Sequence, residues 1–524
     1  MKRLPSAHTH LLPIAALALA GSLAACGQQI FQIEIETADG RFATAATGVA
    51  AGFQPTQTAT FGEPTPTGTF GPPPAEPLPA ATVTQPPALP GGEWLMVTSA
   101  QGLWMSRADG SQAAVRIHGP VLVPVPLSDA ISPDGRLLVY QTLVPSGNGC
   151  NNPVLNILPL TGADPAVVIP LTSSESACPG NSPVELDNVN QALTGRQPFS
   201  WSPDGGRLAF IGAQDGPSAD LYEYYRTNGQ IIRLTDGPDQ AFRTLWSPDG
   251  QWIVHGAVSS FGSGAGYGMT GFYAARADGG EVISLYPIGE RSMDEQGAGW
   301  LDAHTLVAYT QEQPCGPKIL RLVDLSARNA ETVFEGCMSD VAVGHGSVLF
   351  AQPSDLAVYE ENPKPGLYLI PSADRRPRMI SSGDIERIEW AEEIGAFLAV
   401  TRDYKVLEIS TAGDIRELPA MAPRPPTVSP GGRWWAYYQL AQPGFSDTDG
   451  IFAGEYGRGF RQIFEGSVSS GKLIFSPDGN SLYFVTKTGD LYRAQAPDWS
   501  SVLLASGVEP SPYDSTDMAW WNGD

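Results

Sequence analysis

The chain says nearly the same thing twice within fifty residues: "FSWSPDGGRLAF" at Phe199–Phe210 and "TLWSPDGQWIV" at Thr244–Val254. "SPDG" recurs at Ser132–Gly135 and Ser476–Gly479, and "SPGG" stands at Ser429–Gly432. Pro pre-sets φ near −65° at the second turn position, and the closing Gly suits a left-handed residue, so each motif is a tight hairpin turn. A short apolar run follows every time: "RLLVYQ" from Arg136, "RLAFIG" from Arg207, "QWIVHG" from Gln251, "RWWAYY" from Arg433 and "SLYFVT" from Ser481. The same run stands behind degenerate turns at Glu93, Thr305, Ser347 and Ala396. Apolar runs this short are strands buried on both faces, far below the ~20 residues of a membrane span.

After each run comes a more alternating strand, a Gly or Asp-Gly turn and a further short strand, as in "ADLYEYYRTNG" (Ala219–Gly229) and "QIIRLTDG" (Gln230–Gly237). Four strands per unit of about 40–50 residues is the period of a β-propeller blade. The units resemble the WD40-like, or TolB-like (PD40), repeats of bacterial propellers, over Glu93 to Asp524. The expected fold is therefore all-β, one propeller of four-stranded blades, eight or nine in number. "EWLMVTS" lacks a preceding partner and "STDMAWWNGD" (Ser515–Asp524) a following one, so C-terminal and first strands should pair to close the ring, with Trp520 and Trp521 as closure residues. The resemblance implies a docking surface rather than a chemistry.

The residues before the repeat point to export. Lys2 and Arg3 precede an apolar stretch from about Leu11 to Ala25, which ends in "LAAC", Leu23–Cys26. This resembles the signal peptide and lipobox of bacterial lipoproteins, which implies cleavage after residue 25 and acylation of Cys26. Such chains anchor a protein at ~0.8 kcal/mol per buried methylene. Residues 26–53 are read as a mostly disordered mature segment, in which "IFQIEIET" (Ile30–Thr37) alternates like a strand. Residues 54–92 are a Pro/Thr-rich linker whose polyproline geometry, about 3.1 Å per residue, reaches roughly 100 Å. The expected location is extracytoplasmic, on a lipid anchor in a bacterial envelope.

With 31 basic and 55 acidic side chains the net charge is −24, which argues against nucleic acid as a partner. The four cysteines other than Cys26 fall at matching blade positions: Cys150 and Cys315 after a buried strand, Cys178 and Cys337 after the last strand of the same unit. An exported chain oxidises its thiols, and of three possible connectivities Cys150–Cys178 with Cys315–Cys337 fits the repeat. A four-cysteine metal site is disfavoured, there being no C-x-x-C.

Enzymatic motifs are sparse. The histidines of the mature chain, His118, His255, His304 and His345, lie in different units, and neither H-E-x-x-H nor G-x-S-x-G occurs. "GSVSSGKL" (Gly466–Leu473) has phosphate-loop spacing, but Leu473 replaces the hydroxyl residue and a strand follows, so it reads as an inter-blade turn. "FSDTDG" (Phe445–Gly450) lacks the remaining calcium-loop positions and reads as a solvated loop. Two insertions, Pro179–Gln197 and Ser259–Gly271, are expected as loops on the rim of the disc. The reading is a lipid-anchored, non-catalytic scaffold for a protein or envelope partner, with no cofactor. Its alternatives are a metal-dependent hydrolase or lactonase with a site in the channel, or a small-ligand sensor.

Overall fold

The computed structural model describes residues 91–99, 102–112, 114–123, 125–145, 151–160, 166–173, 183–261, 267–285, 295–312, 316–354, 365–439, 449–468, 472–508 and 517–522, and two short strands nearer the N-terminus. Those two, Glu34–Glu36 and Phe42–Thr44, pair antiparallel within a first unit, Met1–Gly71, which gives the alternating segment its partner. Cys26 and the linker up to residue 90 lie outside the described residues.

The second unit, Pro72–Asp524, is a ring of nine antiparallel blades. Blade 1 joins Asp517–Asn522 to Glu93–Ser99, Gly102–Arg107 and Val115–His118. Blade 2 has three strands, Leu137–Pro145, Asn151–Pro159 and Val167–Pro170, with its inner position held by isolated bridges Leu122↔Gln141 and Ile131↔Leu138. Blades 3 to 9 begin at inner strands Phe199–Trp201, Gln240–Trp246, Glu295–Trp300, Asp340–Gly344, Ile385–Ala391, Thr427–Val428 and Ile474–Phe475, each continuing outward through three more strands. Each of the apolar runs is the second strand of a blade, sandwiched between its neighbours. Leu95, Leu138, Leu208, Ile253, Leu306, Leu349, Phe397, Trp435 and Leu482 have at most a trace of exposure.

Polar atoms explain why the turn is Ser-Pro-Asp-Gly. Ser132, Ser202, Ser247 and Ser476 donate their hydroxyls to the Asp two residues on, at 2.5–2.6 Å. Each Oγ also accepts from the backbone N–H five residues on, at 2.9 Å, which pins the start of the buried strand. The glycines sit at φ between 67° and 72°, which a Cβ would oppose. Hydrogen bonding holds the carboxyls of Asp204 and Asp478 below the usual range, Ser202 and Ser476 being the first causes.

The tryptophan before the turn reaches the preceding blade. Trp201 Nε1 donates to Ala130 O at 3.2 Å and Trp246 to Ser200 O at 3.0 Å, and in the closing strand Trp520 donates to Phe475 O of blade 9 at 2.6 Å. Arg207 covers the Trp246 ring at 4.8 Å and pairs with the fully buried Glu223 at 3.0 Å. The repeat thus encodes blade-to-blade contact as well as the hairpin. Closure follows the same logic: Glu93 pairs with Asn522 and Thr98 with Asp517, while Trp521 donates to Gly135 O of blade 2 at 2.7 Å.

Both expected rim loops are ordered elements instead. Pro183–Thr194 is an α-helix that buries Val189, Ala192 and Leu193 against blades 2 to 4, with Gln141 Nε2 donating to Leu193 O at 2.8 Å. The Ser259–Gly271 stretch belongs mostly to an extended hairpin, Trp252–Phe261 with Tyr267–Arg276. Both were expected as loops because they are insertions in an economical repeat; ladder hydrogen bonds and the helix's apolar stripe order them instead.

Candidate functional site in the channel

Strand direction alternates within every blade, so first-to-second and third-to-fourth connections leave on one face of the ring and the others on the opposite face. Every SPDG turn occupies the first face. The helix Pro183–Thr194 and the long blade 4 hairpin occupy the second. Cys337 lies in the connection from blade 5 to blade 6, which leaves on the second face. Cys337 is buried and disulfide-bonded. Cys150, Cys178 and Cys315 lie outside the described residues, so no pairing is described.

The inner strands bring charged residues from different blades together. Asp340, at the start of the blade 6 inner strand, accepts from Val341 N at 3.0 Å and from Ile388 N of blade 7 at 2.8 Å. Burial pushes its carboxyl up against those hydrogen bonds and the nearby Arg387. Glu389 follows on the blade 7 strand. The surrounding protein raises its carboxyl and the charge of Asp340 raises it further, with Arg424 and Arg387 opposing. Glu389 nevertheless remains open to water. A carboxyl that holds its proton more tightly than a free glutamate, yet is accessible, suits general acid catalysis.

A second cluster joins the two ends of the ring. Lys472 pairs with Asp517 Oδ1, while Asp517 Oδ2 accepts from Leu127 N at 2.6 Å. Burial raises Asp129 beside them. Asp517 is committed to the closing strand, so this cluster serves closure.

The histidines do not converge. His118 packs on Tyr140 at 5.2 Å, His255 is buried within blade 4, His304 Nδ1 meets Asp249 of the preceding blade at 3.2 Å, and His345 meets Glu392 at 3.0 Å. Among the described residues no group of three or more His, Cys, Asp or Glu is placed to hold a metal ion, and no helix is long and apolar enough to cross a membrane. Of "FSDTDG" only Asp449 and Gly450 are described, and of the phosphate-loop look-alike only its two ends. Asp340, Arg387, Glu389 and Arg424 had no contiguous motif to reveal them, because each blade contributes only one or two.

No family model matches the chain. Among curated proteins it is similar to the uncharacterized peptidase YuxL of Bacillus subtilis (strain 168), at 46% identity over 54 residues, 10% of this chain. The match spans only 8% of that relative's length. Among solved structures, one titled as the eukaryotic initiation factor superposes with a TM-score of 0.51 at 12% identity, over 83% of this chain and 99% of that one. Dipeptidyl peptidase 4 of Porphyromonas gingivalis gives 0.44 at 12% identity, over 71% of this chain and 58% of that one. The first likeness is one of fold: the class defined is a β-propeller protein.

The non-enzymatic expectation is corrected here. The curated match, over its 54 residues, is to a protein named a peptidase, which a non-enzymatic reading does not accommodate. The earlier inference rested on missing contiguous motifs, and a ring that draws one side chain from each blade has none to show.

Proposed function

We propose that the chain is a hydrolase whose site lies in the propeller channel at blades 6 to 8, acting on peptides. The carrying observation is Glu389, raised by its surroundings and by Asp340 while open to water. In this reading Glu389 gives its proton to the leaving nitrogen as water adds to the scissile carbonyl and the C–N bond breaks, and the water's proton returns to Glu389, while Asp340, held by two backbone N–H groups, stays ionised. Arg387 and Arg424 supply positive charge for the oxyanion that develops on the substrate. Peptides are taken as the substrate class because the curated match is named a peptidase.

The enzyme is further proposed to be held outside the cytoplasm by acylated Cys26 and the Pro/Thr-rich stalk, with Cys150–Cys178 and Cys315–Cys337 as its disulfides. A Cys26→Ser chain that still takes up labelled fatty acid would remove the anchor from this account.

The catalytic reading is tested with the detergent-solubilised full chain on a mixed library of quenched-fluorescence peptides. Turnover is expected, falling about 10²-fold or more in Glu389→Gln, the usual span of general acid catalysis. No cleavage of any peptide, or equal cleavage by the variant, would overturn it.

A further inference from the structure

Where the helix Pro183–Thr194 ends, its last turn meets the inner strand of blade 4 around a cavity of about 150 Å³. Gln191, Ala192, Thr194 and Gly195 line one side, Phe242 and Phe261 form an apolar wall, and Arg196 and Arg243 complete the lining. A cavity near this size admits a molecule as large as benzene, so it takes one side chain or one chain end rather than a length of polymer.

The backbone is bent to place both arginines there. Gln197, next to Arg196, has φ 53°, and Arg243 itself has φ 59°; both are left-handed residues that are not glycine. Arg243 sits at a bulge, where the pairing with the second strand slips between Phe242 and Leu245. Thr244 fixes the pair, its N–H donating to Gln197 O at 2.8 Å and its hydroxyl lying 2.8 Å from that of Ser200. Left-handed non-glycine residues persist only where surrounding structure holds them, and they cluster at ligand sites. A bulge re-aims a side chain. The Arg243 guanidinium lies over the Phe242 ring at 5.1 Å.

From these features we infer that the cavity binds the C-terminal carboxylate of a peptide with an apolar last residue. The inference rests on the peptide-hydrolase reading and supplies a docking point for its substrate. Two guanidiniums match a carboxylate, and the phenyl rings take the side chain. Leu193 O of the last turn is taken by Gln141 Nε2, and the other last carbonyls, which have no partners within the helix, suit the N–H of the terminal residue. Those same carbonyls repel any anion, a dianion more than a carboxylate, so Arg196 and Arg243 supply the attraction and phosphate is the less favoured. The site shares the insertion-bearing face with the helix and the blade 4 hairpin, and Arg243 belongs to a channel-lining strand.

The test is titration calorimetry on the full chain carrying Glu389→Gln, which removes turnover. N-acetyl-Ala-Ala-Phe is compared with its C-terminal amide. The free acid is expected to bind at least about tenfold tighter, the value of one charge-assisted hydrogen bond. Arg196→Gln and Arg243→Gln should each bring acid and amide together, while Arg243→Lys retains part of the preference. Arg196 is exposed, so its substitution leaves the fold intact and decides the matter if Arg243→Gln melts early. Equal binding of acid and amide, no binding of either, an unaffected Arg196→Gln, or displacement by equimolar inorganic phosphate would each overturn the inference. A carboxylate preference in a chain whose Glu389→Gln form still cleaves peptides would sink the catalytic reading alone. Lost turnover with no preference would sink the carboxylate site alone.

Discussion

His255 provides a buried titration that can be read as stability. It lies in the second strand of blade 4, is 3% exposed, stacks on Tyr273 at 5.6 Å, and its Nδ1 has no hydrogen-bond partner. Burial pushes its pKa down from 6.5 to about 4. The folded protein therefore keeps the ring neutral between those values while the unfolded chain binds a proton. Stability from this group is complete above pH 6.5 and is lost as pH falls towards 4. At 1.36 kcal/mol per unit, the loss is about 2 kcal/mol at pH 5 and about 3 kcal/mol by pH 4. Replacing His255 by Phe keeps a ring against Tyr273 and removes the titration. Urea unfolding of both proteins at pH 7.5, 5 and 4 isolates the effect, because the turn aspartates weaken both equally in acid. The gap between the two proteins should move in favour of Phe by the stated amounts. Parallel pH dependences would refute the reasoning.

The other structural claims are open to equally simple experiments. Ser202→Ala leaves the Arg207 N–H of a buried strand without its acceptor and should cost about 1–3 kcal/mol in urea unfolding. Trp521→Ala empties a buried site in the closing strand and should cost about 3–5 kcal/mol, with proteolysis entering at blade 1. Peptide mapping without reductant should link Cys337 to Cys315 and Cys150 to Cys178. Reduction should remove about 3–4 kcal/mol per bridge in the chain-entropy model.

The nine apolar runs were legible because a strand buried on both faces has to be continuously hydrophobic, and each proved to be the second strand of a blade. The inner strands were not, since Thr427–Val428 and Ile474–Phe475 are two residues long and carry no period. Blade 2 replaces its inner strand with two bridges, which no pattern announces. The helix had left a signature: Ser182, Pro183 and Glu185 stand in capping-box order before apolar positions at Val189, Ala192 and Leu193. Its place as an insertion in a repeat of strands masked that signal. Closure was legible because Trp520 and Trp521 ended an unpaired strand. The channel residues were not, since Asp340 and Glu389 meet only once blades 6 and 7 are packed. Arg196 and Arg243 likewise come to one cavity only across a helix end and a bulge.

The most direct test of Glu389 as the proton donor is the pH dependence of kcat/KM for peptide cleavage by the full chain and by Arg424→Gln. The account predicts a rate that falls as pH rises through a pKa above the ordinary glutamate range. That limb should move to still higher pH in Arg424→Gln, because the cation that favours the ionised form is gone. A limb that stays in place, or one that persists in Glu389→Gln, would contradict it.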